Sequence, residues 1–474
     1  MLSDEQKQFL DKLIEYDYIR MSFCDLNGHH MTKLISKDQA ERLVKNQCDI
    51  YCGIIGFGPR FELYKHDKVR NFNFGNGYLV PDPETLHSLP WLTKLNVPYL
   101  PKTSPMRFCS VLCDFKWPDG QIMKEYPRTI CKNLLQKLKD EYGLVLYSSF
   151  EPEFTMLKNK NIEDIHGNRH SEKKLIEPFH KGVELYKTYE VEKYEDFFVE
   201  VDQNMSHIGI KIQDFMTENG PGQIEMPLLP EFGIKSADNY FILKQSIKEI
   251  AKQNDMFATF MTKPFYDSET STGCHYNHSL WLSDNQNENA FYDENDSQRL
   301  SELCRHWIGG LIEHLPAITA LTSPTINCYR RLHRALAPDL CNWNIDDRFS
   351  SIRVKNFSKE RTYIENRSPS SASCPYLVMA ATLVAGMDGI RRKLEPKYFN
   401  SKDPAIVPKL PESFSASLKA MKEDEIFRKG IGEEFCQWLE NLKTISDLKS
   451  INDHGDKNSE YEFSKELYEY LCFS

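Results

Sequence analysis

Apolar residues at Phe9, Leu10, Leu13 and Ile14 recur at helical spacing behind Ser3-Asp4-Glu5-Gln6. In that tetrad the Ser and Gln side chains can satisfy each other's exposed backbone N–H groups, so a helix is predicted at the start. Residues 18–26 alternate as a strand up to Asn27-Gly28, a pair suited to the two positive-φ positions of a tight hairpin, and residues 30–35 read as the return strand. Ser36-Lys37-Asp38-Gln39 caps a second helix, and a Pro-dense stretch (Pro81, Pro83, Pro90, Pro98, Pro101, Pro105) marks loops and a boundary near residue 105. Pro127 opens a helix whose Ile130, Leu134, Leu135 and Leu138 share one face and which Gly143 stops. Residues 144–156 form a strand, and 157–200 are a charged excursion with few strand or helix signals. A helix over 237–251, a strand over 273–283, a helix over 297–315 ended by Pro316 and a helix from Pro375 to about 394 complete the pattern, with a polar helical tail beyond 400. The class is α+β: a small N-terminal domain over residues 1–105 and a large one over 106–474.

Composition narrows what this scaffold does. A chain of 474 residues with 40% hydrophobic and 27% charged residues is neither disordered, collagen-like nor coiled-coil. A net charge of −10 argues against a phosphate-backbone binder, so no nucleic-acid partner is expected. The longest apolar uncharged stretch, 374–387, falls short of the ~20 residues that span a bilayer, and MLSDEQKQFL is too polar for a secretory signal. Thirteen Cys without a CxxC pair read as reduced thiols of a cytoplasmic protein rather than a zinc site.

Chemistry concentrates in carboxylates. Glu151 and Glu153 share one strand face, with Phe150 and Phe154 on the other. Ionised groups that close repel unless a cation lies between them. Glu218 and Glu225 flank a Gly/Pro turn, His275 shares a strand face with Asn277 and Ser279, and Glu365 shares one with Arg367. Five acids and one imidazole suit hard cations such as Mg²⁺ or Mn²⁺. Arg330, Arg331, Arg348, Arg353 and Arg367 add forks for carboxylate and phosphate oxygens, the parts needed for phosphoryl transfer. Neither a GxxxxGK[ST] nor a GxGxxG loop is present.

These segments, in this order, resemble the glutamine synthetase family. The resemblance is carried by Glu151-Pro152-Glu153-Phe154, 218–225 with its GPGQ centre, 258–261 with Lys263-Pro264, 273–280, PTINCYRRL at 324–332, 348–353, 364–367 and 375–377. It implies a β-grasp domain before a large catalytic α/β domain. It also implies a homo-oligomer, a dodecamer of two hexameric rings, and ATP-dependent formation of γ-glutamyl phosphate that ammonia then displaces. By motif, Glu153, Glu218 and Glu225 match the ligands of one Mg or Mn ion, and Glu151, His275 and Glu365 those of the other. Arg331 and Arg367 match glutamate-binding positions, with Thr270 and Ser271 where the family has Asn-Gly. Arg348 and Arg353 match arginines facing the ATP phosphates, with Asn277, in place of a His, and Ser279 on the nucleotide side.

The departures cluster. The family's flap Glu before Ala-Pro is missing from LHRALAP, which has Leu336 or Ala337 in its place, and GIIGFGPRF at 53–61 lacks the acid that attracts ammonium. Tyr363 stands where an Arg is usual. This profile resembles the lengsin branch, regarded as non-enzymatic. The reading is therefore a protein that does not make glutamine and forms a structural or chaperone-like ring assembly partnering cytoskeletal filaments. The alternative is an active γ-glutamyl ligase that uses an amine other than ammonia.

Overall fold

The computed structural model describes residues 2–94, 106–158, 176–182, 185–332, 337–451 and 459–472. Ser3 caps the helix Asp4–Leu13: its Oγ accepts from Gln6 N (3.2 Å), and Gln6 Oε1 accepts from Ser3 N (3.0 Å). Strands β1 (Tyr18–Cys24), β2 (His30–Ser36), β3 (Cys48–Tyr51), β4 (Asn76–Pro81), β5 (His87–Ser88) and β6 (Phe108–Lys116) form one sheet in the order β2-β1-β6-β4-β3, with β5 on β6. The β1–β2 connection is longer than the expected two-residue turn. Asp25 Oδ1 accepts from the N–H groups of Asn27 and His29 (both 2.9 Å), and of Asn27-Gly28 only Gly28 has positive φ (84°). A Cβ at Gly28 would lie 2.6 Å from that of Cys374, so this loop is where the first sheet meets the helix Pro375–Arg392. The boundary expected at 105 falls outside the described residues. Because β6 is central to the first sheet, that sheet runs to Lys116, beyond residue 105.

The second sheet contains β7 (Leu144–Lys158), β8 (Met216–Thr217), β9 (Gln223–Glu225), β10 (Glu231–Phe232), β11 (Met256–Thr259), β12 (Cys274–Leu282), β13 (Trp343–Ile345), β14 (Ile352–Asn356) and β15 (Thr362–Asn366). Its order is β13-β14-β15-β12-β7-β9-β8, with β10 and β11 also on β7. The long β7 is thus the organising strand. Its Phe150 packs on Tyr240 of the helix Lys235–Gln253 (5.0 Å between rings), and Phe154 packs on Phe260 (5.3 Å). The aromatic face is the core; the other face carries the acids. The α+β class holds.

Two predicted boundaries need correction. The helix expected to stop at Leu315 spans Glu302–Thr322 with Pro316 inside it, and begins at the N-cap Ser301, whose Oγ accepts from Cys304 N. An interior Pro costs about 3 kcal/mol, but Ala317, Ile318, Ala320 and Leu321 beyond it are all buried and hold the helix together. The excursion over 157–200 carries the helix Thr188–Val191 and the start of Glu195–His207. The second has a buried face of Phe197, Phe198, Val201 and Met205 that the surrounding charges mask in the sequence. All thirteen cysteines are unpaired, twelve of them buried. Among the described residues no helix is long and apolar enough to cross a membrane.

The helices Glu302–Thr322 and Pro375–Arg392 are joined electrostatically at His314, whose Nδ1 lies 2.6 Å from Asp424 Oδ2 and Nε2 3.0 Å from Asp388 Oδ2. Burial pulls the imidazole pKa down, but the two carboxylates outweigh it and hold it above 6.5. A raised histidine contributes stability fully below its unfolded pKa, about 6.5, and loses it as pH rises through the folded value. Urea midpoints should fall over that window in the wild type. His314→Asn should lack this pH dependence and unfold at pH 6 with about 2 kcal/mol less stability, since it removes the charged bridge while Asp388 keeps Arg391 and Arg392 and Asp424 keeps the Phe427 N–H.

Candidate active site

Strand register assembles the acids. Across β7 and β12, Glu151 pairs with His275; across β7 and β9, Glu153 pairs with Glu225; across β15, Glu365 pairs with Asn277 of β12 on one side and Arg353 of β14 on the other. Period two puts all of these on the sheet face opposite Phe150 and Phe154. Glu218 precedes the turn that leads into β9, its N–H donating to Gln223 O (2.9 Å). Together they line a cavity of about 450 Å³ with Thr270, Ser271, Arg331, Ala337, Arg348, Arg353 and Arg367. Leu336 lies outside the described residues.

Two donor groups can be told apart. Candidate ligand atoms of Glu151, His275 and Glu365 all lie within 4.8 Å of one another. Glu151 accepts from Asn277 Nδ2 (2.6 Å), and its Oε2 is 3.4 Å from His275 Nδ1. Glu365 is 1% exposed, and Arg353 Nη1 donates to it at 3.1 Å while Lys355 and Arg367 also contact it. Burial pushes its carboxyl pKa up, but His275, Arg367, Lys355 and Arg353 more than reverse this and hold it at about 2. The second group behaves oppositely. Glu153 accepts from Gly273 N (2.8 Å) and Gln223 Nε2 (2.5 Å). Burial and then the Glu153 charge raise Glu218 to about 7, and burial with Glu153, Glu151 and Glu218 raises Glu225 to about 10. Three carboxylates crowded on one side are the arrangement that a hard divalent cation relieves.

The cavity also holds the buried guanidinium groups of Arg331 and Arg367. Arg331 donates from Nη1 to Ser368 O (3.1 Å) and from Nη2 to Arg367 O (3.0 Å). A Cβ at Gly273 would lie 2.8 Å from Arg331 Nη2, so that position leaves room for the arginine. The Thr270 and Ser268 hydroxyls are hydrogen-bonded at 2.7 Å on the cavity wall.

Other expected positions fall elsewhere. Ser279 is buried and accepts from Trp281 Nε1 (2.9 Å), away from the cavity. Asn277 does not line the cavity and donates to Glu151 Oε1 (2.6 Å). Arg348 and Arg353 both line the cavity, and Arg353 is held there between Glu365 and Asp346. In 53–61, Phe61 is 83% exposed with a positive φ of 65° and carries no acid to the site. Sequence reasoning missed Lys355, Gln223, Tyr186, Gln213 and Asp214, all cavity residues. Lys355 follows Arg353 by two on β14 and Gln223 closes the GPGQ turn, so both had a signal; the other three lie in segments without periodicity.

Residues 124–463 match the glutamine synthetase catalytic domain. The chain is 29% identical over 470 residues to a glutamine synthetase of Methanococcus voltae, covering 96% of this chain and 97% of that one. It is 26% identical over 456 residues to lengsin of Canis lupus familiaris (94% and 73% covered). Identity to a glutamate–isopropylamine ligase of a Pseudomonas species is 28% over 473 residues (95% and 97% covered). A solved structure of a glutamine synthase homologue superposes with a TM-score of 0.78 at 21% identity, covering 96% of this chain and 98% of that one. The chain belongs to the glutamine synthetase family.

Proposed function

We propose that the protein is an ATP- and divalent-metal-dependent γ-glutamyl ligase that joins glutamate to an organic amine. The observation that supports this most is the convergence of six metal-type donors and of Arg331, Arg348 and Arg367 on one cavity. The donor set fits hard cations: Glu153, Glu218 and Glu225 would hold one Mg²⁺ or Mn²⁺, and Glu151, His275 and Glu365 another. Bound there, such ions neutralise phosphate charge and favour phosphoryl transfer.

The chain's own residues would do the rest. Arg331 and Arg367 hold glutamate carboxylates as charge-assisted forks. Arg348 would face the ATP phosphates, and Arg353 would reach them by exchanging Asp346 while keeping Glu365. A glutamate γ-carboxylate oxygen attacks the γ-phosphorus and the bond to ADP breaks. The amine nitrogen then attacks the acyl carbon, the C–O bond to phosphate breaks, and the nitrogen gives up one proton to the departing phosphate. Ammonium requires acids that LHRALAP and GIIGFGPRF lack, and losing a general base typically costs 10²–10⁴-fold. Asp214 lies in the cavity outside both donor sets with a buried Oδ1 that has no hydrogen-bond partner among the described residues. That oxygen suits the N–H of a larger amine. A dodecameric ring and a cytoplasmic location belong to the same reading.

A second reading, a non-catalytic ring assembly that partners cytoskeletal filaments, is favoured by the same missing acids and by the likeness to lengsin. Glutamate-dependent phosphate release from ATP, measured across primary amines and ammonia, separates the two. An organic amine should support release at least ten-fold above ammonia, and Glu153→Ala should abolish it. If neither ammonia nor any organic amine supports release, the second reading is favoured, and ammonia acting as well as the best amine contradicts the first.

A further inference from the structure

The helix Glu460–Tyr470 lines no part of the cavity and buries Phe463, Glu466, Leu467 and Tyr470. Glu466 is 2% exposed, and its Oε2 accepts from Arg330 Nε (2.6 Å) and Asn327 Nδ2 (2.8 Å). Arg330 is the residue before Arg331, at the end of the 3-10 turn Ile326–Arg330. Its guanidinium also lies 5.2 Å from the Phe463 ring centroid. Asn327 continues the chain of contacts: its Oδ1 accepts from Lys263 N (2.8 Å) and its Nδ2 donates to Lys263 O (3.2 Å). Lys263 begins the loop that returns through Thr270 and Ser271, where Thr272 N donates to Thr262 O (2.8 Å). The Glu466 carboxylate therefore braces the segment that carries Arg331, and Asn327, which it holds, ties that segment to the loop that carries Thr270–Ser271.

A buried ion pair is weak evidence for added stability, because desolvation offsets much of its attraction, and its best-attested use is to fix one arrangement. Adjacent residues on this turn diverge, so pinning the Arg330 side chain outward sets where Arg331 enters the cavity. We infer that Glu466 is a positioning residue for substrate binding, acting through Arg330 and Asn327, and that the helix Glu460–Tyr470 braces the active site without lining it. This rests on the reading of Arg331 as a group that binds the substrate carboxylate. Displacements near 1 Å at such a group cost on the order of 100-fold.

The test uses the full-length protein, with calorimetric titration of L-glutamate in the presence of Mn²⁺ and ADP, and of Mn²⁺ alone. Glu466→Gln and Arg330→Lys should each weaken L-glutamate at least ten-fold and leave Mn²⁺ affinity within two-fold. Tyr461→Ala, on the exposed side of the same helix, should change neither. Unaltered L-glutamate affinity in both variants overturns the inference, as does an equal loss of Mn²⁺ binding, which would mark a general loosening. If one variant fails to fold, the other reads the same claim. If the wild type binds Mn²⁺ but no L-glutamate, the proposed function fails, and hydrogen exchange decides the positioning role separately. Exchange at least ten-fold faster in Glu466→Gln over 262–272 and 326–332, with 144–158 unchanged, upholds it; unchanged exchange in those segments refutes it.

Discussion

Glu225→Gln should yield a protein that is more stable without metal and unable to carry out glutamate-dependent ATP consumption. Glu225 faces Glu153 across the β7–β9 register, with Glu218 leading into the same strand. Burial and these neighbours raise its pKa from 4.5 to about 10. The sign follows from linkage. A carboxyl with a raised folded pKa must keep a proton that the unfolded chain releases, so stability falls as pH rises from about 4.5 toward the folded value. Gln removes that slope and supplies the same shape, so its thermal midpoint at neutral pH without metal should exceed the wild type's. The cost is in function: one ligand to a charge-neutralising ion is worth several kcal/mol in the transition state, about 10³-fold in rate. Mn²⁺ should raise the wild-type midpoint, as binding to the folded state alone requires, and should raise that of the variant much less. Differential scanning fluorimetry with and without Mn²⁺, beside phosphate release, checks both halves.

Gly310→Val should prevent folding or remove at least about 3 kcal/mol of stability. The helices Glu302–Thr322 and Pro375–Arg392 cross with their backbones in contact. A Cβ at Gly310 would lie 2.0 Å from Ala385 O and 2.8 Å from Gly389 Cα, and one at Gly389 would lie 2.1 Å from His306 O. Nearby, Gly386 makes room for Trp307, whose ring would be 2.2 Å from an added Cβ. No rotamer relieves a clash with a carbonyl on a neighbouring helix. The helices would have to separate, and with them the buried side chains behind β7. Urea denaturation monitored by Trp fluorescence should show a lost or strongly shifted transition.

The sequence made the faces of this protein legible more readily than its distances. Alternation placed Glu151 and Glu153 opposite Phe150 and Phe154, and the register brings His275, Glu225 and Glu365 to the same side. Alternation also put Ser279 on the face of His275, which is correct as far as it goes. The cavity, however, covers only the end of β12 near Cys274, and Ser279 pairs with Tyr147 well beyond it. A period of two says nothing about position along a strand. The helix Glu195–His207 stayed hidden because its charged outer face outweighs the buried Phe and Met residues in any local average. Pro316 misled for the converse reason: a local breaker was overruled by burial on both sides of it. Glu466 had no signal at all, since a carboxylate that meets a buried arginine looks in sequence like one that meets water.

Following one oxygen atom tests the central claim most directly. Glutamate labelled with ¹⁸O in its γ-carboxylate is incubated with ATP, Mn²⁺ and the amine that best supports phosphate release, and the inorganic phosphate is analysed by mass spectrometry. Acyl phosphate formation transfers one carboxylate oxygen to phosphorus, so the account predicts one ¹⁸O per phosphate released, dependent on the amine and absent in Glu225→Gln. Phosphate that carries no ¹⁸O, or no phosphate with any amine, would contradict it.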